Sequence, residues 1–216
     1  MEIIRGVEQG SEDWLSLRAG RVTASNFGKV LAGGAGKTRR DYMLQLLAER
    51  LTGAPGESYT NAAMEWGTAT EPQARAMYEL LEGVEVEEVT MIVRDENVAA
   101  SPDGLLPGGG LEAKCPQTKT HIENLLSQKM PVVYRPQVQG CIWVAEADWW
   151  DWISFDPRVP EPSQLVRVRQ YRDQDYIDSL EDSVSQFVDE MLSLESRLRG
   201  DIDALPLLDD LGEGAA

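Results

Sequence analysis

Histidine and cysteine are scarce in this chain. His121 stands alone, which excludes a mechanism built on two imidazoles and any His-x-x-x-His zinc site. Cys115 and Cys141 are too few for a four-thiolate zinc or iron–sulfur site and a poor basis for a disulfide scaffold in 216 residues, so both are expected as reduced thiols. No stretch approaches the roughly 18 consecutive apolar residues of a membrane span. The segment after Met1, with Glu2 and Arg5 among its first residues, lacks the apolar core of a signal peptide. A soluble, intracellular protein without membrane contact is expected, and its chemistry must rest on carboxylates, lysine, arginine or hydroxyls.

What is present suffices for one sizeable core: 42% of the residues are hydrophobic and 26% charged. The formal net charge is −17, which gives no support to nucleic-acid binding driven by displaced counterions. The acid is unevenly spread. Residues 173–216 hold 13 acids against Arg197 and Arg199, a net of −11, leaving −6 for the other 172 residues. Such a stretch is expected as a solvated helix face followed by a disordered end. The pattern therefore predicts a single domain over residues 1–199 and an acidic, disordered tail over 200–216.

Periodicity sets out the elements. Ser11 caps a short helix holding Trp14, Leu15 and Leu17, and Thr23 is expected to cap a second through Phe27, Val30 and Leu31. Gly33-Gly34-Ala35-Gly36-Lys37 lacks the spacing and the preceding strand of a phosphate loop. Thr38 and Asp41 resemble a capping box before a helix with Leu46, Leu47 and Leu51, stopped by Gly53. A helix is predicted over 61–82. The period then changes to two, giving strands from Val84 to Val93, around Val98–Ser101, at Leu105-Leu106 and over Leu111–Cys115, with a tight reversal at Pro107–Gly110. Helices over 118–128 and 132–145, strands over Trp150–Phe155 and Leu165–Tyr171, and an acidic amphipathic helix over about 174–199 follow. This order predicts an α/β or α+β fold with a central mixed β-sheet flanked by helices.

Ser101-Pro102-Asp103-Gly104, followed by Glu112-Ala113-Lys114, is the most informative pattern. A strand puts Glu112 and Lys114 on one face with Ala113 on the other, and the hairpin can bring Asp103 beside them. Clustered carboxylates favour a hard divalent cation with oxygen ligands, completed by the Ala113 carbonyl. In such an arrangement Lys114 orients an attacking water or neutralises developing charge, the chemistry of phosphodiester hydrolysis. The spacing alone equally suits a surface hairpin with an ordinary Glu–Lys pair.

Five separated strings decide between these. They are Val7–Ser25 (VEQGSEDWLSLRAGRVTAS), Trp66–Arg75 (WGTATEPQAR), Ser101–Gly104 (SPDG), Leu111–Pro116 (LEAKCP) and Pro136–Val144 (PQVQGCIWV). In this order they resemble the phage lambda exonuclease branch of the PD-(D/E)xK nucleases, the YqaJ-type viral recombinases, over roughly residues 5–195. The resemblance implies a restriction-endonuclease-like core. By position it implies a catalytic set of Asp103, Glu112, Lys114, Glu71 and Gln137, with Asp103, Glu112, Glu71 and the Ala113 carbonyl holding Mg²⁺, two ions with Mn²⁺ as substitute. It further implies a 5′-phosphate pocket of Arg18, Ser25 and Ser101.

The same likeness places Met64 where relatives present an apolar wedge to the terminal base pair. Plainer alternatives are a salt bridge of Arg18 to Glu12 or Asp13, a solvated Glu71, a helix-face amide for Gln137 and a core position for Met64. The implied activity is a 5′→3′ double-strand DNA exonuclease of a phage or prophage recombination system in the bacterial host cytoplasm, releasing mononucleotides and leaving a 3′ overhang. Its implied partners are double-stranded DNA ends, a single-strand annealing protein and two further copies in a homotrimeric ring. Lys37, Arg39 and Arg40 align with no DNA-contacting group, and Trp143, Trp149, Trp150 and Trp152 are expected in packing. A structure-specific endonuclease of the superfamily and a non-catalytic DNA-end binder or DNA mimic are the rival readings; two cysteines cannot supply the four-cysteine cluster of one endonuclease branch.

Overall fold

In the computed structural model the described residues are 1–32, 36–56 and 61–200, so Gly33–Ala35 and the acidic tail from residue 201 lie outside them. The chain runs β1 (Glu2–Ile4), α1 (Glu12–Arg18), β2 (Val22–Thr23), α2 (Phe27–Val30), α3 (Lys37–Thr52), α4 (Ala62–Glu82), β3 (Met91–Val93) and β4 (Val98–Ala100). It continues through β5 (Gly104–Leu106), β6 (Gly109–Lys114), α5 (Thr118–Ser127), α6 (Arg135–Val144), β7 (Trp149–Phe155), β8 (Leu165–Tyr171) and α7 (Gln174–Arg199). Short 3-10 turns, Ala24–Asn26 and Val132–Tyr134, lead into α2 and α6.

The mixed α+β class is as expected, with the strands divided between two sheets. The first has the order β1-β3-β4-β2 and the second β5-β6-β7-β8. β2 joins β4 and β6 joins β7 in parallel; the other pairings are antiparallel. The division falls at Ser101–Asp103, between β4 and β5. The parallel β6–β7 pair is bridged by α5 and α6, as a parallel connection requires.

Alternation on the second sheet separates two cores. Trp150 and Trp152 face α6 and join the large cluster with Phe27, Trp143, Ile177 and Phe187, whereas Leu111, Ala113, Ile153 and Phe155 face Ala74 and Tyr78 of α4. β6 is thereby sandwiched between α4 and α6. Gly110 is required here: a Cβ at this position would lie 2.3 Å from the Trp150 ring. The tryptophans thus pack as expected, Trp143, Trp150 and Trp152 being buried and Trp149 half-buried under Arg169.

α7 closes the fold through Ile177, Leu180, Val184, Phe187 and Met191, a helical stripe whose full burial contributes about 1.5–3 kcal/mol per side chain. Asp173 caps it by accepting from the Tyr176 N–H. Part of its acid charge turns inward, since Glu181 pairs with Arg94, Glu190 with Arg39 and Glu195 with Arg50. Arg39 therefore ties α3 to α7, and Lys37 pairs with Asp41 on the exposed face of α3.

Several local expectations are corrected. Thr23 ends β2 and makes no side-chain cap. The Thr38 capping box is absent, because α3 already starts at Lys37 with Gly36 as its N-cap. Between Val84 and Val89 the chain makes only an isolated bridge, Glu87 to Leu105, and regular pairing begins at Met91. The helix expected over 132–145 is broken, since Pro136 has no N–H to donate to the Val132 carbonyl and α6 begins beside it.

Asp156, buried at the end of β7, accepts from the Arg158 backbone N–H and guanidinium and from the Thr118 hydroxyl. Burial would raise its pKa, but these donors overcome it and hold the carboxyl at about 2. A lowered carboxylate pKa stabilises the fold above its ordinary value of about 3.9, and that stabilisation is lost as pH falls towards the folded value. The stability difference between the wild type and Asp156→Asn, followed by urea unfolding, should be full at neutral pH and shrink between about pH 4 and 2; a difference independent of pH over that range would contradict this account.

Candidate active site

Five side chains meet where β6 leaves its hairpin. Lys114 Nζ donates to Glu112 Oε1 at 2.5 Å, and Gln137 Nε2 donates to the same oxygen at 2.6 Å. Both reach Glu112 because residues two apart on a strand share a face, here the face towards α6. Asp103 arrives from the sheet junction, its Oδ2 accepting from the Ala113 N–H at 2.7 Å. The N–H and C=O of one strand residue leave the same edge, so the Ala113 carbonyl faces the Asp103 side rather than the β7 ladder. Glu71 enters from α4, and it lines with Asp103, Ala113, Lys114, Met64 and Tyr134 a cleft of about 390 Å³.

The electrostatics are those of crowded carboxylates. Burial, then the charges of Glu112 and Glu71, push the Asp103 carboxyl well above its ordinary range. Burial also raises Glu71, Arg75 works against this, and Glu112 adds to it. Burial opposes the charge on Lys114, but Glu112, Asp103 and the hydrogen bond to Glu112 hold the ammonium above its usual pKa. Cys115, lining the same cleft, is pushed up to about 12 by burial and by Glu71 and Asp103, so it is a thiol at neutral pH and no nucleophile. His121 is buried on Ser154 Oγ and the Ser163 carbonyl, and serves packing.

The donor set fits a hard cation. Glu112 Oε2 is buried and receives no hydrogen bond among the described residues, a costly state that a cation would relieve. A positive ion would also quiet the repulsion that raises Asp103 and Glu71. Among the described residues no three carboxylate, thiol or imidazole side chains close round one point as a complete metal site.

A second cluster adjoins the first. Arg18 Nη1 donates to Ser101 Oγ at 2.9 Å, and Nη2 to Thr23 Oγ1 and Ser25 Oγ at 3.1 Å each, while its guanidinium lies over the Trp14 ring at 4.3 Å. Burial lowers the Arg18 pKa. Among the described residues no carboxylate lies within ion-pair distance, which sets aside the alternative bridge to Glu12 or Asp13. A half-buried guanidinium lined by hydroxyls and lacking a counter-ion among the described residues has the donors to receive an anion. Ser101 and Asp103 are two residues apart, so their Cα atoms lie within about 7 Å.

The structure thus brings together Glu71, Asp103, Glu112, Ala113, Lys114 and Gln137 as one group, and Arg18, Ser25 and Ser101 as another. Met64 is half-exposed on the cleft rim, outside the core. Lys37, Arg39 and Arg40 are not among the residues lining the cleft.

Three neighbours escaped the sequence reading. Thr23 shares Arg18 with Ser25 and stands two residues before it. Arg75, four residues after Glu71 on α4, donates to the Asp103 backbone carbonyl at 3.0 Å and pairs with Glu88 at 3.1 Å. Tyr134 lies under the Lys114 ammonium, 5.4 Å from ring centroid to Nζ. The helical i,i+4 spacing of Arg75 from Glu71 was the one available signal among them.

The family profile of the YqaJ-like viral recombinase domain matches residues 13–148. Among solved structures, an alkaline exonuclease from Laribacter hongkongensis is similar at 36% identity, covering 89% of this chain and 98% of that one with a TM-score of 0.83. The same exonuclease in complex with dAMP is similar to the same extent, at 36% identity and a TM-score of 0.83, with 89% of this chain and 98% of that chain covered. A phage related exonuclease from Haemophilus somnus, at 17% identity with 80% of this chain and 95% of that chain covered and a TM-score of 0.61, shares the fold. No curated protein matches the chain significantly.

Proposed function

The chain belongs to the YqaJ-like viral recombinase family, and on that footing we propose that it is a Mg²⁺-dependent exonuclease that digests one strand of duplex DNA from a 5′-phosphorylated end. That it is a DNA nuclease of the phage exonuclease type follows from the family and from its likeness to the alkaline exonuclease. The finer reading rests on one observation: the counter-ion-free Arg18 pocket stands two residues along the chain from the crowded carboxylate Asp103. A terminal phosphate is a dianion well matched to such a fork of donors. Seating it fixes polarity, because a 3′-hydroxyl end has nothing to offer the pocket.

Asp103, Glu112, Glu71 and the Ala113 carbonyl are the proposed holders of Mg²⁺. When bound, Mg²⁺ supplies positive charge at the scissile phosphoryl group and acidifies water. The protein's own groups do the rest. Gln137 holds the Glu112 carboxylate in place. The Lys114 ammonium, protonated at working pH, faces the cleft, where it orients the attacking water and meets the charge that develops on phosphoryl oxygen. Met64 on the rim is placed to press against the terminal base pair, since unstacking one step costs only a few kcal/mol.

The proposed products are mononucleotides and a 3′ overhang for a single-strand annealing protein. We further propose one exonuclease domain over residues 1–199, a homotrimeric ring, action in the host cytoplasm, and Mn²⁺ as substitute metal. Among the described residues no helix is long and apolar enough to cross a membrane.

The test is linear duplex carrying a 5′-phosphate or a 5′-hydroxyl, and a covalently closed circle, each with Mg²⁺ or chelator. Nucleotide release from the phosphorylated linear duplex alone, and only with the metal, is expected. Cleavage of the circle would instead identify an endonuclease, and no release from any substrate would leave a DNA-end binder.

A further inference from the structure

The end of the 3-10 turn before α6 and the first turn of α6 itself carry two residues that reach the Glu112-x-Lys114 pair. Gln137 holds Glu112 Oε1, and Tyr134, three residues earlier and one helical turn away, presents its ring to Lys114 Nζ at 5.4 Å. The ring is well seated: its other neighbour is the fully buried Trp152, at 5.7 Å between centroids, and it lines the cleft. The next residue, Arg135, anchors the turn to α7 by pairing with Asp173 at 2.6 Å and lying over Tyr176 at 4.2 Å. Among the described residues the Tyr134 hydroxyl has no hydrogen-bond partner, so the ring face is what the fold uses.

We propose that Tyr134 is a positioning residue for the nuclease reaction, its ring face holding the Lys114 ammonium over the cleft while Gln137 holds Glu112, so that one turn of chain fixes both side chains of the pair. This rests on the nuclease reading above. The physical reason for a ring at this place is charge. A carboxylate that positions an ammonium also cancels it, whereas an aromatic quadrupole attracts the cation and leaves its full charge available to a phosphoryl oxygen. Lys114 has a flexible four-carbon stem, and a neutral wall keeps it in place when Glu112 is engaged elsewhere.

The test separates ring electronics from packing. Tyr134→Leu should lower kcat about tenfold with KM for 5′-phosphorylated duplex little changed, and Tyr134→Phe should restore most of the loss. Phenylalanines bearing one, two and three ring fluorines at position 134 keep the volume while weakening the quadrupole, so kcat should fall stepwise along the series even if the leucine variant folds poorly. A flat fluorine series with an active wild type, or a loss confined to KM, overturns the inference and leaves the nuclease reading standing. An inactive wild type removes that reading and the inference with it. In the chelated protein the Lys114 Cε protons, assigned by their disappearance in Lys114→Arg, should be shifted upfield by the ring and return to the ordinary position in Tyr134→Leu; unshifted wild-type signals also overturn it.

Discussion

Lys114→Ala is expected to reduce nucleotide release by at least about 10³-fold, roughly 4 kcal/mol, while leaving DNA-end binding within a few-fold of wild type. The size follows from what surrounds the ammonium. Its Nζ bonds Glu112 Oε1 at 2.5 Å, in a site whose other ionisable groups include the carboxylates Glu71 and Asp103. The same charges hold its pKa above the ordinary lysine value, so it is a cation throughout neutral pH and, on the proposed reading, acts by charge and orientation rather than as a base. Alanine removes that charge from the place where the proposed reaction develops a negative one. End binding survives because the Arg18 pocket is built from other residues. Single-turnover rates with Mg²⁺, set beside end affinity in chelator and a melting curve, make the comparison. Turnover within tenfold of wild type in a folded variant would remove Lys114 from the chemistry.

Arg18→Ala should erase most of the preference for 5′-phosphoryl over 5′-hydroxyl ends, a change of about 10²-fold in the ratio of kcat/KM. A hydrogen bond to a charged group contributes about 1.5–3 kcal/mol, and the guanidinium fork offers two to a phosphate. The activity on hydroxyl ends should change far less, because that substrate never fills the pocket. Stability provides an independent check. Burial lowers the Arg18 pKa, and no carboxylate pairs with it among the described residues, so hydroxyls and the Trp14 ring offset its desolvation only in part. Arg18→Met should therefore melt no lower than wild type, whereas a structural arginine would destabilise on removal. This is the usual opposition between stability and a site prepared for a ligand.

The parts of the fold legible from sequence are those governed by local rules. The α7 stripe from Ile177 to Met191 and the alternation of Val166, Arg167, Val168 and Arg169 on β8 are repeated at one period over many residues, and both elements lie where periodicity puts them. The gathering of Asp103, Glu112 and Lys114 was readable because a hairpin and strand alternation bring them together over a dozen residues. What was not readable depends on partners distant in sequence. β1 is three residues long and owes its form to β3, with Ile3 opposite Ile92. The division into two sheets turns on Ser101–Asp103, a stretch too short to carry a periodic signal. Thr23 and Tyr134 have no local mark of their roles, since each gains it only where another element arrives. That no carboxylate among the described residues reaches ion-pair distance of Arg18 is likewise a tertiary fact, for Glu12 and Asp13 lie on the same short helix.

The junction between the sheets has a consequence for how far the enzyme advances with each cut. On the proposed reading Ser101 belongs to the grip on the strand's end and Asp103 to the place of scission; a single rigid residue, Pro102, separates them, and its carbonyl is fastened by Gln9 at 3.0 Å. The gap is short enough for one sugar and its linkage to span. On the proposed reading this peptide is a ruler, and the stride it measures is one nucleotide, with every freshly exposed phosphate presented to the grip that has just been vacated.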